Sequence, residues 1–336
     1  MASEFDLIAQ YFTRPTHHTK LGVGDDAALI SISQGMELAI SADMLVAGTH
    51  FFHDADAYKL GWKSLAVNVS DMAAMGANPK WATLAIALPE VNAAWLAEFS
   101  RGFFACAEAF NVDLIGGDTT RGPLTISVQI MGEVPIEQAI KRSNANVGDE
   151  IWVSGHCGDA ALALAHMQGQ LTLSADAFAS CTKALHTPQP RVALGLALRQ
   201  IANSAIDISD GLLADLGHIL ERSNVGATLM LSSVPHSAYL ADKLAGAVRH
   251  NESATTSSAA NSYDKSILNM LLAGGDDYEL CFTAPIEKHA EINNLSEKLA
   301  LPLSCIGRIT ANTGLIVHGF NGEILDFKET GFDHFS

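Results

Sequence analysis

The sequence predicts a two-domain chain, an α/β domain followed by an α+β domain. Its length, 336 residues, suits two domains of about 150 residues better than one. Through the first 135 residues, apolar runs of strand length alternate with helix-length segments. A polar, turn-rich stretch, KRSNANVGDE (141–150), then interrupts the pattern, and the boundary is expected between residues 146 and 147.

The elements follow in order. MELAISADMLV (36–46) reads as a strand, apolar until Ser41 and Asp43. Residues 56–75 read as a helix that stops at Gly76, with Asn78-Pro79 enforcing the stop. WATLAIAL (81–88) is a buried strand, and NAAWLAEFSRGFFACAEAF (92–110) a second helix capped by Asn92. VDLIGGDTT (112–120) is a short strand ending in glycines and Asp118, and LTISVQIMGEV (124–134) is another. The second half restarts with the strand EIWVSG (150–155) and a helix from Asp159. RVALGLALRQIA (191–202) reads as helical, and SAIDISDGLLADLGHIL (204–220) as strand, turn and helix. YELCFTA (278–284), LSCIGRIT (303–310) and GLIVHG (314–319) are strand-like, with a helix around 286–299. Residues 246–266 are small and polar, the composition of a flexible insertion.

Composition narrows the function. There are 37 acidic and 20 basic side chains, a net charge of −17, which repels nucleic acid and anionic membrane. No apolar run reaches the roughly 18 residues of a spanning helix, and the N-terminus has acidic residues where a signal peptide is basic. Five scattered cysteines without a C-x-x-C give neither a disulfide framework nor a zinc site. A cytoplasmic location is expected.

The chemistry is concentrated in aspartates beside glycine or serine at the ends of apolar segments. They are Asp25 and Asp26 in GVGDDAA, Asp43 in ISADML, Asp71 in NVSDMAAMG, Asp118 in IGGDTT, Asp207 and Asp210 in IDISDG, and Asp276 and Asp277 in GGDDYEL. Any one alone is an ordinary turn residue. As a set they exceed what turns require. Asp71 is the most telling, because aspartate is a poor residue for a helix interior. With Ser64 and Asn68 it draws one polar line along an otherwise apolar helix, as if facing a site. Oxygen-only donors suit hard cations, and Mg2+ binds through carboxylates together with substrate phosphates. No P-loop and no protein-kinase motif set is present, so carboxylate-held metals would have to neutralise any nucleotide.

GVGDDAA, SADMLVAGTHF, LAVNVSDMAAMGANP, GGDTTRG, DISDGL, GGDDYEL and IGRIT, in this order, resemble the bacterial thiamine-monophosphate kinase family. That family lies within the wider aminoimidazole-ribonucleotide-synthetase-like ATP-dependent enzymes. The resemblance runs from about residue 4 to 335, nearly the whole chain. It implies the two-domain fold of those enzymes, with an N-terminal domain that forms a homodimer through its sheet. It also implies ATP as co-substrate, several Mg2+ ions, K+ as an optional monovalent ion, and thiamine monophosphate as acceptor. Carried over by position, Asp26, Ser41, Asp43, Asp71, Asp118, Asp207 and Asp210 are implied metal ligands. Asp26, Gly117, Asp118, Arg142 and Ser209 are implied ATP contacts, and His50, Asp276 and Phe332 the acceptor pocket. No side chain is implied as a general base. Three departures stand out. Ala42 occupies a position where the family has a hydroxyl, Asp276 replaces a glutamate with a shorter reach, and RSNANVGD departs from the family's run after Arg142.

Other readings remain for comparison. A selenophosphate synthetase is expected to carry a reactive cysteine near its N-terminus, and none precedes Cys106. A hydrogenase-maturation protein is expected to end in cysteine, where this sequence reads DHFS. A non-catalytic nucleotide-binding module is expected to have lost carboxylates that are intact here.

Overall fold

The computed structural model describes residues 3–251, 265–327 and 331, with only the backbone described for 245–251. The described chain divides into two compact units, Met1–Ala139 with Gln189–Leu196, and Ile140–Pro188 with Ala197–Ser336. The division at 139/140 precedes the one expected at 146/147, and the return of 189–196 to the first unit has no counterpart in the linear reading.

In the first unit, Ser3 caps α1 (Glu4–Leu7), and a wider helical turn continues through Phe12. A small hairpin, β1 (Thr19–Leu21) and β2 (Leu29–Ile30), precedes the edge strand β3 (Met36–Val46). Helix α2 (Ala57–Ala74) starts where Asp56 accepts the Lys59 amide at 2.9 Å, and stops before Gly76 at φ 61°. β4 (Asn78–Leu88) follows, then α3 (Ala93–Phe110), capped by Asn92 accepting the Trp95 amide at 3.1 Å. β5 (Asp113–Arg121) and β6 (Thr125–Pro135) complete a four-stranded sheet of order β3-β6-β4-β5. β4 and β5 run parallel, and the other pairs are antiparallel.

Both long helices bury an apolar face. Leu65, Val69 and Met72 of α2 and Leu96, Phe99 and Phe103 of α3 join Ile86, Ile126, Val128 and Ile130 of the sheet in one core. The helices meet closely because Gly61 faces the Phe99 carbonyl and Gly102 the Tyr58 carbonyl, where a Cβ would collide with backbone.

A buried carboxylate also ties this unit together. Glu133 accepts from the Ser33 amide and hydroxyl at 2.6 and 3.0 Å and lies 2.6 Å from Lys80 Nζ. Burial pushes its carboxyl up, but Lys80 and Ser33 together outweigh burial and hold it below the ordinary 4.5. A depressed folded pKa gives stability that is fully present above the unfolded value and lost as pH falls through the folded one. Glu133→Gln should therefore melt below wild type at about pH 7, and the gap should close as pH falls below about 4. Thermal melts across that range check it.

The second unit opens with β7 (Glu150–Ser154), α4 (Asp159–Met167) and α5 (Ala175–His186). The expected helix at 191–202 is shorter: α6 spans Val192–Ala197, and Gln200 at φ 64° breaks its continuation. β8 (Ser204–Asp207), α7 (Leu212–Ser223), β9 (Gly226–Met230), α8 (Ala238–Asn251) and α9 (Lys265–Leu272) follow. The unit ends with β10 (Leu280–Ala284), α10 (His289–Leu299), β11 (Leu303–Thr310), β12 (Gly314–His318) and β13 (Ile324–Leu325). Its seven-stranded sheet has the order β13-β12-β9-β11-β7-β10-β8. Of the expected insertion, 246–251 and 265–266 are helical, and 252–264 lie outside the described residues. Among the described residues no helix is long and apolar enough to cross a membrane. All five cysteines are free, four of them buried, and burial pushes their thiols up.

Candidate active site

The polar line on α2 faces the edge strand β3. Ser64 donates to the Gly61 carbonyl at 2.9 Å, and Asn68 Nδ2 to the Ser64 carbonyl at 3.1 Å. Asn68 Oδ1 accepts the Asp43 amide at 3.1 Å, and Asp71 Oδ2 accepts the Ser41 hydroxyl at 2.6 Å. Ser64 and Asn68 are buried, while Ser41, Asp43 and Asp71 are partly exposed. The line is thus anchored at its inner end by buried residues and reaches the surface at the partly exposed Asp71. Period-two alternation on β3 puts the Ala42 side chain on the opposite face from Ser41 and Asp43. After β3, His50 Nδ1 accepts the Val46 amide at 3.0 Å, which leaves the ring proton on Nε2.

A second feature of this unit is a cleft of about 590 Å3, lined by Asp25, Asp26, Gly117 and Asp118, with Phe5 and Ile8 also in its wall. Asp25 turns its carboxylate back onto the Asp26 amide at 3.0 Å and so caps its own turn. Gly117, at φ 152°, lies against the Leu84 backbone, where no Cβ fits. Register separates Asp118, though not Gly117, from the Asp71 group. Asp43, Val128, Leu84 and Gly117 form one row across the sheet. Asp118 falls in the next row, with Met44, Ser127 and Ala85, on the opposite face. The first unit therefore brings Ser41, Asp43 and Asp71 together, and Asp26, Gly117 and Asp118 together, as two groups. Among the described residues, no group of three His, Cys, Asp or Glu could hold a metal ion.

In the second unit, Asp207 ends β8 and is buried. The turn after it is fastened from two sides. Ser209, Asp210 and Gly211 donate their amides to Asp215 Oδ2 at 3.0, 3.1 and 3.1 Å. Asp276 and Tyr278 donate theirs to the Ser209 and Ile208 carbonyls, each at 2.8 Å. Asp276 and Tyr278 are left-handed, at φ 68° and 50°, which explains why the expected strand from residue 278 begins only at Leu280. The Tyr278 hydroxyl donates to Asp276 Oδ1 at 3.1 Å, while both oxygens of the buried Asp277 accept the Gly158 amide at 3.0 Å. Burial holds the Asp277 carboxyl well above its ordinary range. Burial and then the Asp210 charge push the Asp215 carboxyl up to about 7, against the pull of its three amide partners.

Ser209, Asp210 and Asp276 are therefore neighbours. Arg142 is not fastened there. Its carbonyl accepts from Ser223 at the far end of α7, about 18 Å of helix from Gly211. Phe332 lies outside the described residues. Sequence reading missed Asp215, although SDGLLAD carries its signal: an aspartate in the first turn of a helix whose cap is glycine.

Residues 24–134 match the family described as AIR synthase related protein, N-terminal domain, and residues 146–319 match its C-terminal domain. Together these matches cover most of the chain, which is an AIR-synthase-related protein. Over 99% of its length the chain is 43% identical to thiamine-monophosphate kinase of Escherichia coli (strain K12), covering 98% of that relative. The crystal structure of thiamine-monophosphate kinase from Stenotrophomonas maltophilia K279a is similar with a TM-score of 0.80 and 46% identity, over 92% of both chains. AaThiL complexed with AMPPCP and TMP is similar at a TM-score of 0.74 and 28% identity, over 93% of this chain and 92% of that one. The chain belongs to the thiamine-monophosphate kinase family.

Proposed function

We propose that this chain transfers the γ-phosphoryl group of ATP directly to the phosphate of thiamine monophosphate, giving thiamine diphosphate and ADP. One observation carries the choice of substrates: the likeness, over nearly the full chain, to a relative solved with AMPPCP and TMP. The acceptor is a phosphate monoester whose second pKa is about 6, so its attacking oxygen is already anionic near neutral pH. No side chain has to remove a proton. What the site must do is bring two polyanions into line.

The donor chemistry fits Mg2+. Ser41, Asp43 and Asp71 offer only oxygens, as do Asp26, Asp118, Asp207 and Asp210. Mg2+ binds through one or two carboxylates plus phosphates and water, and each group here offers carboxylates of that kind. Bound there, Mg2+ would neutralise phosphate charge on donor and acceptor. The chain's own part is to hold the donors still: Ser41 orients Asp71, Asn68 fixes the backbone at Asp43, and the turn of Ser209 and Asp210 is set by its two fastenings. Asp26, Gly117, Asp118, Arg142 and Ser209 contact ATP in this reading. His50, Asp276 and Phe332 contact thiamine monophosphate, and K+ is an optional addition. The enzyme works in the cytoplasm, as unpaired cysteines suit, and as a homodimer through the outer face of its first sheet, where Ile40 and Met44 are each 56% exposed.

Purified protein incubated with ATP, Mg2+ and thiamine monophosphate should yield thiamine diphosphate by chromatography, and chelation of the metal should stop it. Tight ATP binding without product would favour a binding module or another acceptor.

A further inference from the structure

We propose that Asp215 is a positioning residue for nucleotide binding, holding the backbone of the Ser209–Asp210 turn with a buried carboxylate. The inference deepens the functional reading above and rests on it for the roles of Ser209 and Asp210. Helix α7 is capped by Gly211, which has no side chain to accept an amide. Asp215, inside the first turn, reaches back instead and takes three consecutive amides on one oxygen. An ordinary cap satisfies one or two amides of its own helix. Here the amides precede the helix, and two of the three belong to Ser209 and Asp210, the residues assigned to the ligand.

Three amides in a row form the concavity that otherwise binds an outside anion. The chain fills it with its own carboxylate, which is only 2% exposed. On the other side, the Asp276 and Tyr278 amides take the Ser209 and Ile208 carbonyls. Gly211, at φ 125°, is pressed against Ala273, with a Cβ position 2.7 Å from its carbonyl carbon. With three amides and two carbonyls taken, the turn presents a ligand with its side chains, and their placement depends on Asp215.

The test is a double-mutant cycle on the full-length protein, read by the affinity for Mg2+ with a non-hydrolysable ATP analogue, by KM for ATP and by the melting temperature. Asp215→Ala and Asp210→Asn should each weaken nucleotide affinity by about tenfold. The double variant should be within about twofold of Asp210→Asn, because Asp215 acts through the turn. Losses that multiply in the double variant would overturn the proposal. So would an Asp215→Ala protein that melts lower but binds as wild type, or an Asp210→Asn protein with unchanged affinity. If Asp215→Ala does not fold, Asp215→Asn and Asp215→Glu replace it. Asparagine keeps an acceptor in place and should stay within about threefold of wild type, while glutamate displaces it and should lose about tenfold. Equal affinities for those two would overturn the proposal. Nucleotide binding does not involve thiamine monophosphate, so wild-type protein that binds nucleotide but makes no thiamine diphosphate would sink the functional reading and leave this one standing.

Discussion

Asp71→Asn will fold as wild type and lose about three orders of magnitude or more in kcat, a transition-state cost of at least about 4 kcal/mol. Asparagine keeps an oxygen to accept the Ser41 hydroxyl, so the contact that fixes the side chain survives. The melting temperature should stay within about 3 °C of wild type. What is lost is a negative charge at the partly exposed end of a polar line whose Ser64 and Asn68 side chains bond the backbone of α2 and β3. The loss should fall on kcat and kcat/KM together, the pattern of an interaction made in the transition state. A drop of only a few-fold, measured by steady-state kinetics, would make Asp71 a structural residue of the α2–β3 contact.

Gly117→Ala will damage both stability and nucleotide binding, while Gly116→Ala will spare stability. The added methyl at 117 would run into the Leu84 carbonyl, and the left-handed φ of 152° is itself strained for alanine. β4 and β5 pair in parallel through that point, so relief means opening the ladder beside the cleft that Asp26 and Asp118 line. Overpacking of this kind costs about 1–3 kcal/mol, and we expect affinity for an ATP analogue to fall by at least tenfold, roughly the same energy. At Gly116 a Cβ meets nothing within 4 Å. Melting curves and nucleotide titration of the two variants check the contrast. Equal stabilities would show that the close approach at Leu84 can be relaxed without cost.

Much of the fold was legible because its signals are local. Asp56 and Gly76 bracket α2, Asn92 caps α3, and the polar line of Ser64, Asn68 and Asp71 emerges from helical period alone. The rest depends on contacts distant in sequence. No local pattern returns residues 189–196 to the first unit. Helix α5 escaped notice although Ser174 caps it and Ala177, Cys181 and Leu185 repeat every four residues, because that pattern is short and only three positions are buried. YELCFTA looks extended from its first residue, yet Tyr278 is left-handed because its amide and that of Asp276 are drawn to the turn after β8. The carboxylates themselves were legible as a set, but their grouping was not. Sheet register separates Asp118 from Asp43, and a buried aspartate four residues beyond Gly211 governs the Asp210 turn.

The central claim is direct phosphoryl transfer between ATP and thiamine monophosphate, and a single turnover with ATP labelled in its γ-phosphate tests it most directly. With enzyme in excess, the label should pass into the terminal phosphate of thiamine diphosphate as fast as ADP forms, with none bound covalently to protein at any time. Label that appears first on the protein, or that is released as phosphate while thiamine monophosphate persists, would contradict the account.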